Sequence, residues 1–221
     1  DQLLAGGDDV LGGQDLVATL LFSDIRGFTT LTEALGAQGT VSLLNDYFTI
    51  MVDCISKEEG MLDKFIGDAV MAMWGAPAES RYHALNAVHA GMSIARKIQQ
   101  KQEEDRAAGK LIFGIKIGIN TGSAIVGNVG AGGRLNYTAV GKTVNIAARL
   151  ENVPAIYGCS VVLSEETAKE VGSELLLNEI DRITVRGKKT PFSIYQPLCE
   201  RQEAGEVEKS PFSGQQRLRN I

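Results

Sequence analysis

The chain has 221 residues, 44% hydrophobic and 22% charged, with 22 Lys and Arg against 27 Asp and Glu. A chain of this length and apolar content buries enough surface for one domain with tails, which argues against general disorder. A net charge of −5 argues against a nucleic-acid binder, which needs a basic face, but not against a small anionic ligand held by local cations or a metal. Cys54, Cys159 and Cys199 form no CxxC pair, so a reducing, cytoplasmic setting is expected rather than a disulfide framework. His83 and His89 are the only histidines and suggest no metal cluster. No apolar run approaches the ~18–20 residues of a membrane span, and no signal peptide opens the chain. Without an initiator Met the sequence reads as a fragment, expected to make no membrane contact itself and to follow an upstream sensor domain.

Residues 1–15 hold four acids, four glycines and no base, the composition of a linker. Leu16–Phe22 is a short apolar run expected to form a buried strand. It ends in a turn, Ser23 to Thr30, that feeds a helix, with Thr30 and Glu33 at capping-box spacing. Val41, Leu44, Phe48, Met51 and Ile55 then recur at helical steps, and Gly60 is expected to close that helix. MLDKFI and AVMAMW read as a hairpin turned at Gly67-Asp68. A long helix carries Leu85, Val88, Met92, Ala95 and Ile98 on one face and stops near Gly109. Residues 112–121 and 124–129 read as a second hairpin, and GAGGRLN as a loop before a helix around 140–150. A short strand (VVL), a capped helix (SEETAKEV) and a strand pair (LLLNEIDRITV, PFSIYQPL) follow. Residues 200–221 read as a polar tail, which leaves 16–199 as the domain. Mixed helices and antiparallel hairpins predict an α+β fold with helices on a sheet.

Asp24 ends the first strand and Asp68 sits at the hairpin tip. If those strands are neighbours, both carboxylates emerge at one edge, where their repulsion favours Mg²⁺ or Mn²⁺ between them. Gly27 and the helix start after it offer free N–H groups to an anion. Either aspartate alone would ordinarily be a turn residue, and only the combination points to a nucleotide triphosphate. Gly141-Lys142-Thr143 lacks the glycine of a P-loop, because position 136 is Asn136, and GAGGRL misses the dinucleotide fingerprint at Leu135. Alternation places Lys64 with Leu62, opposite Asp63 and Phe65, without deciding its burial. Asn145 and Arg149 share a helix face at i and i+4; an ordinary alternative pairs Arg149 with Glu151.

Four segments in order, LFSDIRGFTTL, MLDKFIGDAVMAMWGAP, GIKIGINTGSAIVGNVG and NYTAVGKTVNIAARLE, resemble the catalytic domain of the class III adenylyl and guanylyl cyclases. The resemblance covers about residues 16–198 and implies a ferredoxin-like βαββαβ core with additional strands and helices. It implies two divalent cations on Asp24, Asp68 and the Ile25 carbonyl, and phosphate contacts from Gly27, Phe28 and Thr29. Lys64 and Thr138 would read the purine; Asn145 and Arg149 would orient the ribose and stabilise the transition state. Arg186 stands where many relatives carry a lysine for the triphosphate. Metal and purine residues serve opposite sites in this family, so a head-to-tail homodimer with two shared sites is implied. Lysine at 64 points to ATP and 3′,5′-cyclic AMP; the alternatives are a guanylyl cyclase and a catalytically silent nucleotide-binding module.

Overall fold

The computed structural model describes residues 12–131, 134–186, 188, 190–201 and, as backbone, 219–220. The elements run β1 (Gly12–Arg26), α1 (Phe28–Lys57), β2 (Met61–Ile66), β3 (Ala69–Trp74), α2 (His83–Ala107) and β4 (Gly114–Ala131). They continue with β5 (Arg134–Val140), α3 (Lys142–Leu150), α4 (Pro154–Tyr157), β6 (Val161–Ser164), α5 (Glu165–Val171), β7 (Leu175–Thr184), β8 (Phe192–Glu200) and β9 (Arg219–Asn220). β1 pairs antiparallel with β3 on one side and β4 on the other, and β2 completes the order β2-β3-β1-β4. With α1 and α2 as the crossovers, this is the expected βαββαβ core. The sheet extends from β4 through β6, β8 and β7 to β9, while β5 pairs with β4 off that path.

Strand alternation divides the core between the two faces. Leu21 and Ile25 of β1 join Ile115, Ile117 and Ile119 of β4 beneath α1 and α2, with Tyr47, Met51, Val88 and Ile94. Ala18, Leu20 and Phe22 point the other way, packing with Met71, Met73, Val126, Ala139 and α3's Ala147. The β6–β8 end has a third cluster that includes Ile146, Leu150, Val162 and Phe192.

Several boundaries differ from expectation. β1 begins at Gly12, so Gly12–Asp15 belong to the sheet, paired with residues 125–128 of β4; residues 1–11 lie outside the described residues. β8 reaches Glu200, and 219–220 of the expected tail form β9 beside β7. Residues 202–218 lie outside the described residues. α1 starts at Phe28 behind Gly27 in a left-handed conformation (φ 73°), with no side-chain cap, so Thr30 and Glu33 do not form a capping box. Gly36, at φ 65° and ψ −179°, divides that helix into two segments. At its far end Glu59 takes the positive φ (57°). Gly60 instead makes room for Trp74, whose ring atoms would lie 2.4 Å from an added Cβ.

The second expected hairpin is one continuous strand. β4 runs 18 residues through Gly118, Gly122 and Gly127, and its hairpin partner is β5, whose first residues were expected to be loop. These glycines supply space rather than turns. A Cβ on Gly118 would lie 2.2 Å from Glu151 N and 2.5 Å from Leu150 C, and one on Gly127 would lie 2.0 Å from Gly12 O. Because Gly118 meets backbone rather than a movable side chain, Gly118→Ala should cost about 1–3 kcal/mol, a fall of roughly 3–10 °C in Tm. Gly12→Ala, which meets no atom within 4 Å, should leave Tm nearly unchanged in the same thermal melt.

Candidate active site

Asp24 sits near the end of β1, on the face shared with Phe22 and α3. Its Oδ1 accepts the Ile25 N–H (2.9 Å), and its Oδ2 lies 2.8 Å from Lys116 Nζ on β4. Lys116 also reaches Glu151, just beyond α3, at 2.7 Å. Asp68 follows Gly67, which supplies the positive φ (64°) of the β2–β3 turn. The β1–β3 register, in which Ser23 opposes Val70, brings that turn beside Asp24. Burial, a hydrogen bond to Asp24 and the Asp24 charge push the Asp68 carboxyl up to about 7. Asp24 moves the other way: burial opposes its charge, but Asp68 and Lys116 outweigh it and lower its pKa. Burial raises the Glu151 carboxyl despite Lys116. Lys116 itself is raised, its partners Asp24 and Glu151 outweighing its burial.

Two adjacent carboxyls, one pushed up to about 7 by burial and by the other's charge, suit a hard divalent cation, which would remove the repulsion. Among the described residues no group of three or more His, Cys, Asp and Glu is assembled for a metal. A cation at Asp24 and Asp68 would complete its shell with a backbone carbonyl, water or substrate oxygens, as Mg²⁺ commonly does. Neither Lys116 nor its link to Glu151 was anticipated. The available signal was a lone lysine in the apolar run GIKIGI, which alternation places opposite Ile115 and Ile117.

Lys64 and Thr138 come together although β2 and β5 are not sheet neighbours: Lys64 Nζ donates to Thr138 Oγ1 at 3.1 Å. Simple alternation kept Lys64 opposite Phe65 but wrongly placed it with Leu62 and against Asp63. A β-bulge makes Asp63 the extra residue, so Leu62 opposes Ala72 while Lys64 opposes Met71. Leu62 therefore packs beneath the long helices, and Lys64 turns to the α3 side with Met71. Asp63, unremarked in the sequence, has a side chain only 1% exposed. It accepts the Thr138 hydroxyl hydrogen bond and lies 3.2 Å from Lys64 Nζ.

At the start of α1, Leu31 N–H bonds back to Gly27 O (3.2 Å), which leaves the N–H groups of Phe28, Thr29 and Thr30 without intrahelical partners. α3 is pinned to β4 by Asn120 Nδ2 donating to Thr143 O (2.9 Å) and by the Thr143 hydroxyl donating to Ser123 O. That leaves Asn145 exposed and Arg149 half-buried on one helix face. Glu151 is taken by Lys116, not Arg149. Arg186 is exposed after β7.

Residues 14–196 match the family described as the adenylate and guanylate cyclase catalytic domain. The chain belongs to that family. Adenylate cyclase 1 of Rhizobium meliloti is 34% identical over 178 residues, covering 80% of this chain and 27% of that protein. The adenylate cyclase of Anabaena cylindrica is 31% identical over 182 residues, covering 80% and 36%. This cyclase domain thus spans well under half the length of either curated relative. Its fold matches the crystal structure of the adenylyl cyclase CyaB from P. aeruginosa with a TM-score of 0.79 at 36% identity, covering 88% of this chain and 100% of that one. The guanylyl cyclase Cya2 also gives 0.79, at 30% identity, covering 88% and 98%. Among the cyclase domain's described residues, no helix is long and apolar enough to cross a membrane.

The Asp24–Asp68 repulsion predicts a pH effect in the cation-free cyclase domain. A carboxyl raised to about 7 contributes stability that is fully present below its ordinary pKa and lost as pH rises through about 7. After solvent screening the contribution is below about 1 kcal/mol. Asp68→Asn should therefore raise Tm by roughly 1–3 °C at pH 8.5, by less at pH 5, and not at all below the ordinary carboxyl pKa of 3.8, as checked by paired thermal melts in chelator.

Proposed function

We propose that this domain is an adenylyl cyclase that converts ATP to 3′,5′-cyclic AMP and pyrophosphate at two sites shared by a homodimer. The observation that carries the choice of ATP is the Lys64–Thr138 pair at 3.1 Å. An ammonium there donates to the N1 acceptor of adenine, whereas guanine presents N1–H and would set donor against donor. Two relatives named adenylate cyclase support the reading. A guanylyl cyclase remains the second reading, because Cya2 shares the fold with an equal TM-score.

In the proposed mechanism the ribose 3′-oxygen attacks the α-phosphorus and pyrophosphate leaves. Asp24, Asp68 and the Ile25 carbonyl would hold two divalent cations, Mg²⁺ or Mn²⁺, which when bound activate the 3′-hydroxyl and neutralise the triphosphate. The free N–H groups following Gly27, at Phe28 and Thr29, receive phosphate oxygens. Arg149, with no ion-pair partner among the described residues, meets the charge developing on the α-phosphate, and Asn145 orients the ribose from the same helix face. Arg186 adds charge for the β- and γ-phosphates, with a planar fork in place of an ammonium. Lys64 and Thr138 of one copy complete the site whose carboxylates belong to the other.

Purified protein with Mn²⁺ and each nucleotide should yield cyclic AMP from ATP in large excess over cyclic GMP from GTP, resolved by chromatography. The reverse preference would overturn the choice of base, and nucleotide binding without turnover would favour a silent module. Asp24→Ala and Arg149→Ala should each lose at least about a hundredfold in kcat. Mixing them under subunit exchange should restore activity through one intact site per heterodimer, and absence of rescue would overturn the shared site.

A further inference from the structure

Asp63 lies outside the set of groups that would touch a nucleotide, yet it contacts both members of the purine pair. The β2 bulge turns it inward, where its side chain is 1% exposed. A carboxylate only accepts hydrogen bonds, so the Thr138 hydroxyl that faces Asp63 Oδ2 must donate its single proton there. Thr138 Oγ1 then has lone pairs only. One receives Lys64 Nζ at 3.1 Å, and the other is left as an acceptor. Without Asp63 that hydroxyl would rotate freely and could donate as readily as accept.

We propose that Asp63 is a positioning residue for base selection: by taking the Thr138 proton it makes Thr138 an obligate acceptor, matched to the 6-amino group of adenine and mismatched to the O6 of guanine. The inference rests on the ATP reading above and adds a residue to it. Asp63 also lies 3.2 Å from Lys64 Nζ without a hydrogen bond from it. The remaining ammonium N–H groups therefore stay available for purine N1. Asn at 63 can turn its amide N–H₂ toward Thr138, which frees the threonine proton to meet a guanine O6.

The test measures kcat/KM for ATP and GTP with Mn²⁺ on the intact protein. Asp63→Asn should lower the ATP-over-GTP ratio by about tenfold, the equivalent of one neutral hydrogen bond, from the 6-amino group to Thr138 Oγ1. In a Thr138→Val background the same exchange should change the ratio by less than about threefold, since the hydroxyl it orients is gone. A folded Asp63→Asn protein with an unchanged ratio overturns the proposal, as does an equal loss with both nucleotides, the mark of a purely structural role. An independent arm uses the unmutated protein with purine riboside triphosphate, which lacks the 6-amino group but keeps N1. It should be used about tenfold less well than ATP; equal or better use overturns the acceptor assignment even if Asp63→Asn fails to fold. Preference of the unmutated protein for GTP would overturn the ATP reading itself. Preference for ATP with an unchanged Asp63→Asn ratio would overturn the role of Asp63 alone.

Discussion

The antiparallel ladder between β1 and β4 is the constraint on which the other parts depend. It runs from Gly12 opposite Asn128 to Arg26 opposite Gly114, and β3 closes the other side of β1. A one-residue slip would exchange the two faces of β1, sending Leu21 and Ile25 out of the α1–α2 core and Asp24 into it. Register is therefore held by the burial of those apolar side chains, and the carboxylate is placed as a consequence. At one end the ladder sets Asp24 beside Lys116; at the other, β4 carries β5 and with it Thr138.

That placement has an electrostatic cost that the site manages locally. Asp24 and Asp68 cannot both be freely charged at their separation, so one carboxyl is lowered and the other raised to about 7. Lys116, held between Asp24 and Glu151, supplies the nearest compensating charge within the chain. A divalent cation would compensate more fully, which gives the pair a reason to be left under-neutralised. The pair proposed to read the purine follows the opposite rule. Lys64, Thr138 and Asp63 form a closed set in which donors and acceptors are assigned before any ligand arrives. On the proposed function, one cluster accepts charge and the other reads polarity.

Close packing of α3 links the two clusters. Gly118 admits the C-terminal end of the helix onto β4, while Asn120 and Thr143 fasten its start. The apolar side of α3 is thereby buried, and Asn145 and Arg149 are left on the accessible side. The space at Gly118 is thus a packing requirement for this placement of α3.

Much of this was legible in the chain because it is written in local periodicity and turn chemistry. The 3.6-residue spacing gave both long helices, Gly67-Asp68 gave the first hairpin, and four ordered motifs gave the family and its βαββαβ core. Ser164 as the cap of α5 was equally local, its side chain accepting from Thr167 N–H. What the sequence could not determine depends on atoms remote along the chain. Glycines at 118, 122 and 127 look like turn residues until α3 and β1 are seen lying against them. The face of Lys64 follows from a bulge whose cause lies in the pairing with β3 and not in the order of residues within β2. Lys116, Glu151 and Asp63 carry no signal beyond being charged groups near apolar runs, and only their distances to Asp24, Lys64 and Thr138 give them roles. Residue types and spacing determined which chemistry the chain holds; tertiary contact decided its direction, because a hydrogen bond's polarity and a carboxyl's charge are set by neighbours rather than by the residue itself.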